Sequence, residues 1–479
     1  MFNFDNSYIS LPDKFYSRVH PSPVAKPELV LLNKELLKVL TIHSNNSEEY
    51  IAELSGNKIP QNSIPFSQAY AGHQFGHFTM LGDGRAIILG EHITADNKRY
   101  DIQLKGCGQT PYSRRGDGRA TLKAMLREYL ISEAMHYLNI PTSRSLAVVK
   151  TADPVFRETA NVGAVLTRVM KSHIRIGTFE FARYFGTLDD LKELTHYTLK
   201  RLYPDVEHGK IPALRLLEEV MRLQIDIVAQ WMRVGFIHGV MNTDNTSISG
   251  ETFDYGPCAF MNIYNPQTVF SSIDTNGRYA FGNQPGIIKW NISRLAEALL
   301  PLIHLDTETS IKLAQKTIDA FDILWNEKYY LTMLNKLGIE NKKFEDNTLV
   351  DELLELMRTH RLDYTNTFSA LSLDIDFENN PIHDPALKNW LEKWKDRISV
   401  NNYGFQKAKS IMKENNPVFI PRNHSTEAAL NEAVAGNYSL FDALLNVLKT
   451  PYGYNESYHS YLQSSGLEFE KNYQTFCGT

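Results

Sequence analysis

Apolar residues fall in two different rhythms along this chain. From Tyr100 to Lys105 they alternate, with Tyr100, Ile102 and Leu104 on one side and Asp101, Gln103 and Lys105 on the other. That is the period of a strand with one apolar face. Arg85 to Leu89 is a short apolar run between Gly84 and Gly90, and Leu146–Val149 and Val162–Met170 read as two more strands. At Thr121 the period lengthens. Leu122, Met125, Leu126, Tyr129 and Leu130 form a stripe at helical spacing, which predicts a helix as far as Leu138. Past about residue 180 helical stripes dominate, at Leu188–Leu202, Ala213–Arg233, Ile292–Leu300 and Thr307–Leu337. Ahead of the strands, a stretch with Pro21, Pro23 and Pro27 leads to a predicted amphipathic helix near Glu28–Leu40.

This order divides the chain into an extension (1–60), a strand-rich unit (61–175), a helix-rich unit (176–330) and a polar helical region broken by prolines (331–479). The class is α+β, and such an arrangement puts a ligand cleft between the strand-rich and helix-rich parts. No internal repeat or low-complexity tract interrupts it. A length of 479 residues with 43% hydrophobic residues supports a large core, while a net charge of −5 gives no reason to expect a nucleic-acid or membrane-surface partner. No apolar run is long enough to span a bilayer. Cys107, Cys258 and Cys477 are far apart and odd in number, which argues against a disulfide framework or a zinc cluster. The start, Met1 to Asp5, lacks the basic and apolar regions of a secretion signal. The expectation is a cytoplasmic monomer.

The candidate chemistry lies in pieces. Gly82-Asp83-Gly84-Arg85 joins flexible backbone to a fixed positive charge, which suits a phosphate. Taken alone, it is better explained as an Asp-Gly hairpin turn. Lys105 ends the alternating strand, and Glu128 sits at the edge of the next helix's stripe. Each alone is better explained as a solvated charge. The third piece decides between the readings. The helix Ala213–Arg233 runs into Gly235-Phe236-Ile237-His238-Gly239-Val240-Met241-Asn242-Thr243-Asp244-Asn245, followed by Asp254-Tyr255-Gly256. Protein kinases use a strand lysine paired to a helix glutamate, a His-x-Asp loop with a metal-binding Asn five residues on, and a metal-binding Asp-Phe-Gly. The same order here predicts a protein-kinase-like bilobal fold, a strand-rich N-lobe over a helical C-lobe. Asn245 and Asp254 are its candidate Mg²⁺ or Mn²⁺ ligands. One position departs: where a kinase keeps its catalytic Asp, this chain has Val240. Asp244 is the carboxylate of that loop able to replace it as proton acceptor. An insert, Arg114-Arg115-Gly116-Asp117-Gly118-Arg119, and the later Arg168, Lys171 and Arg175 offer guanidinium groups for a polyphosphate, although surface charge explains Arg114, Arg119 and Lys171 as well.

Together these segments resemble the selenoprotein O, or YdiU, family of protein adenylyltransferases. The resemblance is carried by the strings Ala69–Gly76, Leu81–Ala86, Gln103–Gly106, Thr110–Arg114, Gly116–Ala120 and His238–Asn245, with Arg278–Phe281 and Trp290-Asn291. It implies a kinase-like fold holding ATP in a flipped orientation, with AMP passed to Ser, Thr or Tyr of a protein and pyrophosphate released. Gly82, Gly84, Arg85, Lys105, Asp117, Gly118, Arg168, Arg175 and Asp254 would contact the nucleotide. Asn245 and Asp254 would bind Mg²⁺ or Mn²⁺, Asp244 would accept the proton, and Glu128 would pair with Lys105. UTP stays open as a second donor. Some members carry a cysteine after the Asp-x-Gly loop that pairs with a C-terminal one; here the corresponding Thr268–Ser271 holds none, although Cys477 is present. Two other readings are an ordinary phosphotransferase, opposed by Val240, and a non-catalytic nucleotide-binding scaffold, opposed by the intact Lys105, Asn245 and Asp254.

Overall fold

The computed structural model describes residues 2–43, 48–206, 209–373, 381–400 and 404–476. One sheet of ten strands organises the first third of the chain. They are β1 (Phe4–Asp5), β2 (Tyr16–Arg18), β3 (Glu28–Leu32), β4 (Phe66–Gln74), β5 (His77–Gly82), β6 (Ala86–Ile93), β7 (Arg99–Lys105), β8 (Ala120–Thr121), β9 (Arg144–Phe156) and β10 (Ala160–Met170). The main path is β2-β4-β6-β7-β10-β9-β3, with β1 on β6, β5 on β4 and β8 on β10. Every pairing is antiparallel. The rest is helical apart from a two-stranded antiparallel sheet, Phe236–Ile237 with Ala259–Phe260, so the class is α+β.

The alternation in β7 sets the site. Ile102 and Leu104 enter a core shared with Ile87 and Leu89 of β6 and Val165 and Val169 of β10, covered by Leu36, Leu37 and Leu54. Each such side chain contributes roughly 1.5–3 kcal/mol by leaving water. Because strand side chains alternate, Asp101, Gln103 and Lys105 are held on the opposite face. The helix Leu122–Tyr137 begins where the Thr121 side chain accepts from the Ala124 amide at 3.3 Å. Its stripe packs against Val148 and Leu166 of the sheet and against Leu430, Phe441 and Leu444 of two late helices, Asn423–Val434 and Ser439–Leu448. The long helix Pro212–Val234 packs on Gln284–Ile303 and Phe321–Lys336 and ends at Gly235, whose φ of 74° turns the chain into the loop that follows.

Several expectations are corrected. Glu28–Leu40 is a strand and then a short helix. Leu29 to Leu32 pair with β9, and Asn33 starts the helix Lys34–Val39 by accepting from the Leu36 amide at 3.0 Å. Thr307–Leu337 is two helices, Thr307–Asp319 and Phe321–Lys336. The Asp83-Gly84 turn is no hairpin, because the strands it joins pair with β4 rather than with each other. The hairpin turn is Phe75-Gly76, joining β4 to β5, with φ of 50° and 87°. Two consecutive positive φ values are what a type I′ turn demands. Among the described residues no helix is long and apolar enough to cross a membrane.

Candidate active site

A cleft of about 450 Å³ opens between the sheet and the loop after Gly235. The sheet side supplies Gly82, Gly84, Arg85, Lys105 and Arg168, and Arg175 follows β10. The insert supplies Asp117 and Gly118, and the loop supplies Asp244, Asn245 and Asp254. Glu128 stands behind Lys105. Thus residues from four separate stretches converge. Arg119 also borders the cleft. Arg114 instead donates to the Met80 carbonyl at 2.8 Å, and the Lys171 backbone is tied to Glu251 at 2.9 Å.

At the sheet end four charges form one network. Lys105 Nζ lies 2.7 Å from Glu128 Oε2 and also contacts Asp254 Oδ1. Arg168 donates Nε to Glu128 Oε1 at 2.7 Å and Nη2 to Asp254 Oδ1 at 2.9 Å. Lys105, Glu128 and Arg168 are almost fully enclosed, with side chains 6%, 2% and 4% exposed. Burial works to raise the Asp254 carboxyl, yet Lys105, Arg168 and Arg85 outweigh it and hold the group well below its ordinary range. Glu128 is lowered in the same way, burial being outweighed by Arg168 and Lys105. Two cations and two carboxylates balance, so the buried cluster is neutral. Such a cluster tolerates burial only while all its partners are present.

The loop end differs. Asp244 lies on a single turn, Thr243–Asn245, and its Oδ1 is buried without a hydrogen-bond partner. Burial pushes this carboxyl up to about 6, against the pull of Arg175. Arg175 reaches the loop by donating Nη1 to the Asp244 carbonyl at 3.2 Å, and its guanidinium lies 4.0 Å over the Tyr70 ring. The β4–β5 hairpin braces the same loop. His73 N donates to Thr243 Oγ1 at 2.8 Å and Phe75 N donates to Asn242 Oδ1 at 3.1 Å. Gly72 leaves room for the carboxylate, since a Cβ there would sit 2.7 Å from Asp244 Oδ1. Asn245 donates Nδ2 to the Val240 carbonyl at 3.2 Å, so its side-chain oxygen is the atom left to accept. Asp254 sits at a φ of 62°, an uncommon value for a non-glycine residue.

The glycines read as a phosphate loop are crowded by protein. A Cβ on Gly82 would lie 2.3 Å from the Tyr112 ring, and one on Gly84 would lie 2.9 Å from the Tyr112 carbonyl oxygen. They let the Thr110–Ser113 turn close over the strand end. The insert's Asp117 is engaged by Arg157, with contacts of 2.9 and 3.2 Å.

The family model described as protein adenylyltransferase SelO matches residues 1–449. The chain belongs to the SelO family. A protein nucleotidyltransferase YdiU of Anoxybacillus flavithermus is 52% identical to it over 480 aligned residues, covering 100% of this chain and 99% of the relative. Those of Bacillus cytotoxicus and Brevibacillus brevis are 51% and 52% identical, each covering 100% of this chain and 98% of the relative.

Within this SelO-family chain, Cys107 and Cys258 are buried free thiols, both pushed up to about 12 by burial. Cys477 lies outside the described residues. Ser271, in the Thr268–Ser271 stretch that holds no cysteine, forms a backbone bridge with Thr475, and the Thr475 amide donates to the Phe270 carbonyl at 2.8 Å. Sequence reading missed Tyr70, Phe253 and Arg157. Phe253 underlies both Arg168 and Arg175, 5.7 and 5.1 Å from its ring centre. Its position just before Asp254 was the available signal. Arg157 lies past the turn end of β9, where nothing in the local pattern marks it.

Proposed function

We propose that this chain transfers AMP from ATP to Ser, Thr or Tyr hydroxyls of proteins and releases pyrophosphate, on a kinase-like two-lobed frame. One observation carries the reading. The loop that would hold a kinase's catalytic carboxylate has the buried, apolar Val240 there, while Asp244, farther along the same loop, lines the cleft as a carboxylate whose Oδ1 is buried without a partner.

The residues divide the work by charge. Lys105, Arg168, Arg175 and Arg85 would hold the β- and γ-phosphates, since guanidinium groups bind phosphate oxygens in pairs and Lys105 supplies a point charge. Glu128 would orient Lys105 and Arg168 and keep their charges balanced when no nucleotide is bound. The α-phosphate would face Asp244. The acceptor oxygen then attacks the α-phosphorus, the bond to the β-phosphate oxygen breaks, pyrophosphate leaves, and Asp244 takes the hydroxyl proton. A group that titrates near 6 is a carboxylate at neutral pH and still a competent base.

The donor set suits Mg²⁺ or Mn²⁺: an amide oxygen on Asn245 and a carboxylate on Asp254, both lining the cleft. Both cations engage Asp254 Oδ1, which leaves Oδ2 for a metal. Among the described residues no three or more His, Cys, Asp or Glu side chains gather as a metal cage, so phosphate oxygens and water would complete the shell. When bound, the ion would neutralise phosphate charge as it develops. The direct test follows the by-product. Acceptor-dependent turnover of ATP should release pyrophosphate, and release of ADP in step with acceptor modification would refute the reading.

A further inference from the structure

Beside the catalytic cleft lies a second cavity of about 660 Å³. The two share Phe75 and Ile273 as walls, so they are neighbours across one pair of side chains. Phe75 belongs to the β4–β5 turn and packs against Tyr279, ring centres 5.1 Å apart. Tyr279 in turn donates to Asn242 Oδ1 at 2.5 Å, two residues before Asp244. The wall between the cavities is therefore tied to the loop that carries Asp244. The second cavity's charged groups are few. The Asp274 carboxylate is spent on the chain's own backbone, accepting from the amides of Arg278 and Tyr279 at 2.8 and 2.7 Å. Arg278 remains. Its guanidinium is held 4.9 Å over the Trp290 ring, with Arg294 5.1 Å from the same ring, and its Nε is buried without a hydrogen-bond partner. The floor has room: a Cβ on Gly286 would meet nothing within 4 Å.

We propose that this cavity receives the acceptor polypeptide, and that Arg278 recognises an acidic side chain flanking the hydroxyl residue to be modified. The proposal rests on the AMP-transfer reading for the nature of the occupant. A fixed, ring-stacked guanidinium lining the cavity suits a carboxylate better than a neutral group. A cavity that adjoins the cleft across Phe75 and Ile273 lets a hydroxyl reach the cleft while the flanking residue stays in the cavity. Arg278 is a specificity-determining residue and takes no part in the chemistry.

Three short peptides test this, alike except that a central Ser is flanked by acidic, neutral or basic residues. Their binding to the full chain is followed by calorimetry, and their modification is followed with ATP labelled at the α-phosphate. The wild type should bind the acidic peptide about tenfold more tightly than the basic one, the usual worth of one charge-assisted contact. Arg278→Gln should remove that preference and raise the acceptor KM while leaving kcat and the KM for ATP unchanged. Thr275→Glu, on an exposed position of the cavity rim, should do the same by opposing the acidic group, and it decides the matter should Arg278→Gln fail to fold. Equal binding of the three peptides, or a preference that survives either folded variant, overturns the site. Selective binding with no label transferred to any peptide would support the site and refute AMP transfer. Transfer without selectivity would do the reverse.

Discussion

The two ends of the cleft hold carboxylates in opposite conditions. At the sheet end, Asp254 is pressed between Lys105 and Arg168 and stays ionised far into acid. At the loop end, Asp244 has one oxygen with no partner and burial lifts it to about 6. Neighbouring acids whose surroundings drive them apart are how a site assigns fixed charge to one and proton transfer to the other. The comparison teaches that position along the loop matters less than the company a carboxylate keeps. Val240 sits where a kinase-like base would be, yet the raised carboxylate lies farther along the same loop.

The largest expected effect breaks the charged end. Asp254→Ala should lower transfer by about ten-thousandfold, because several kcal/mol of phosphate-charge stabilisation vanish with it. A variant that folds by circular dichroism and retains activity with Mg²⁺ or Mn²⁺ would contradict the assignment. Next comes the loop end. Asp244→Ala should slow transfer by about a thousandfold, within the usual range for a general base, with nucleotide affinity unchanged in a titration. Weakened affinity would make Asp244 part of the metal or phosphate site and erase the contrast between the ends.

A smaller effect should follow from Glu128→Gln. It removes the charge that balances Lys105 and Arg168, so nucleotide affinity should fall by about tenfold or more and thermal stability by roughly 3 kcal/mol. An unchanged melting temperature would mean that Asp254 alone suffices for both cations.

The smallest prediction sharpens the picture of the loop end. Glu180 supports it from below: its carboxyl contacts His73 Nδ1, its Oε2 has no partner, and burial raises it from 4.5 to about 7. A raised carboxyl binds protons more strongly in the folded chain. Its contribution is therefore favourable to folding below about 4.5 relative to higher pH, and stability declines as pH rises from there to about 7. Glu180→Gln should flatten that decline, by on the order of 2 kcal/mol at pH 8, in thermal unfolding scans. Parallel curves for the two proteins would show that Glu180 does not titrate in this window.

Legibility in the sequence followed burial. β7 was readable because one face is core and the other cleft, which gives clean alternation ending at Lys105. The start of the helix Leu188–Leu202 carries a sequence mark, since Thr187 and Asp190 form a reciprocal cap. β4 was not, since most of it is buried on both faces and its small residues carry no period of two. Its turn hid as well, because Phe75 is an unusual residue at positive φ. The site's residues could be named from motif order, and the structure brings them to one cleft. Their pairing could not: Glu128 is shared by Lys105 and Arg168, and Asp254 by the same two, across four stretches that meet only on folding.

The claim that joins these observations is that the α-phosphate, not the γ-phosphate, faces the acceptor. Purified enzyme incubated with an acceptor protein and ATP labelled at either position decides it in one measurement. Label from the α-phosphate on the acceptor, with the γ-label recovered as pyrophosphate, is the predicted result; γ-label on the acceptor with none from the α-position would contradict the account.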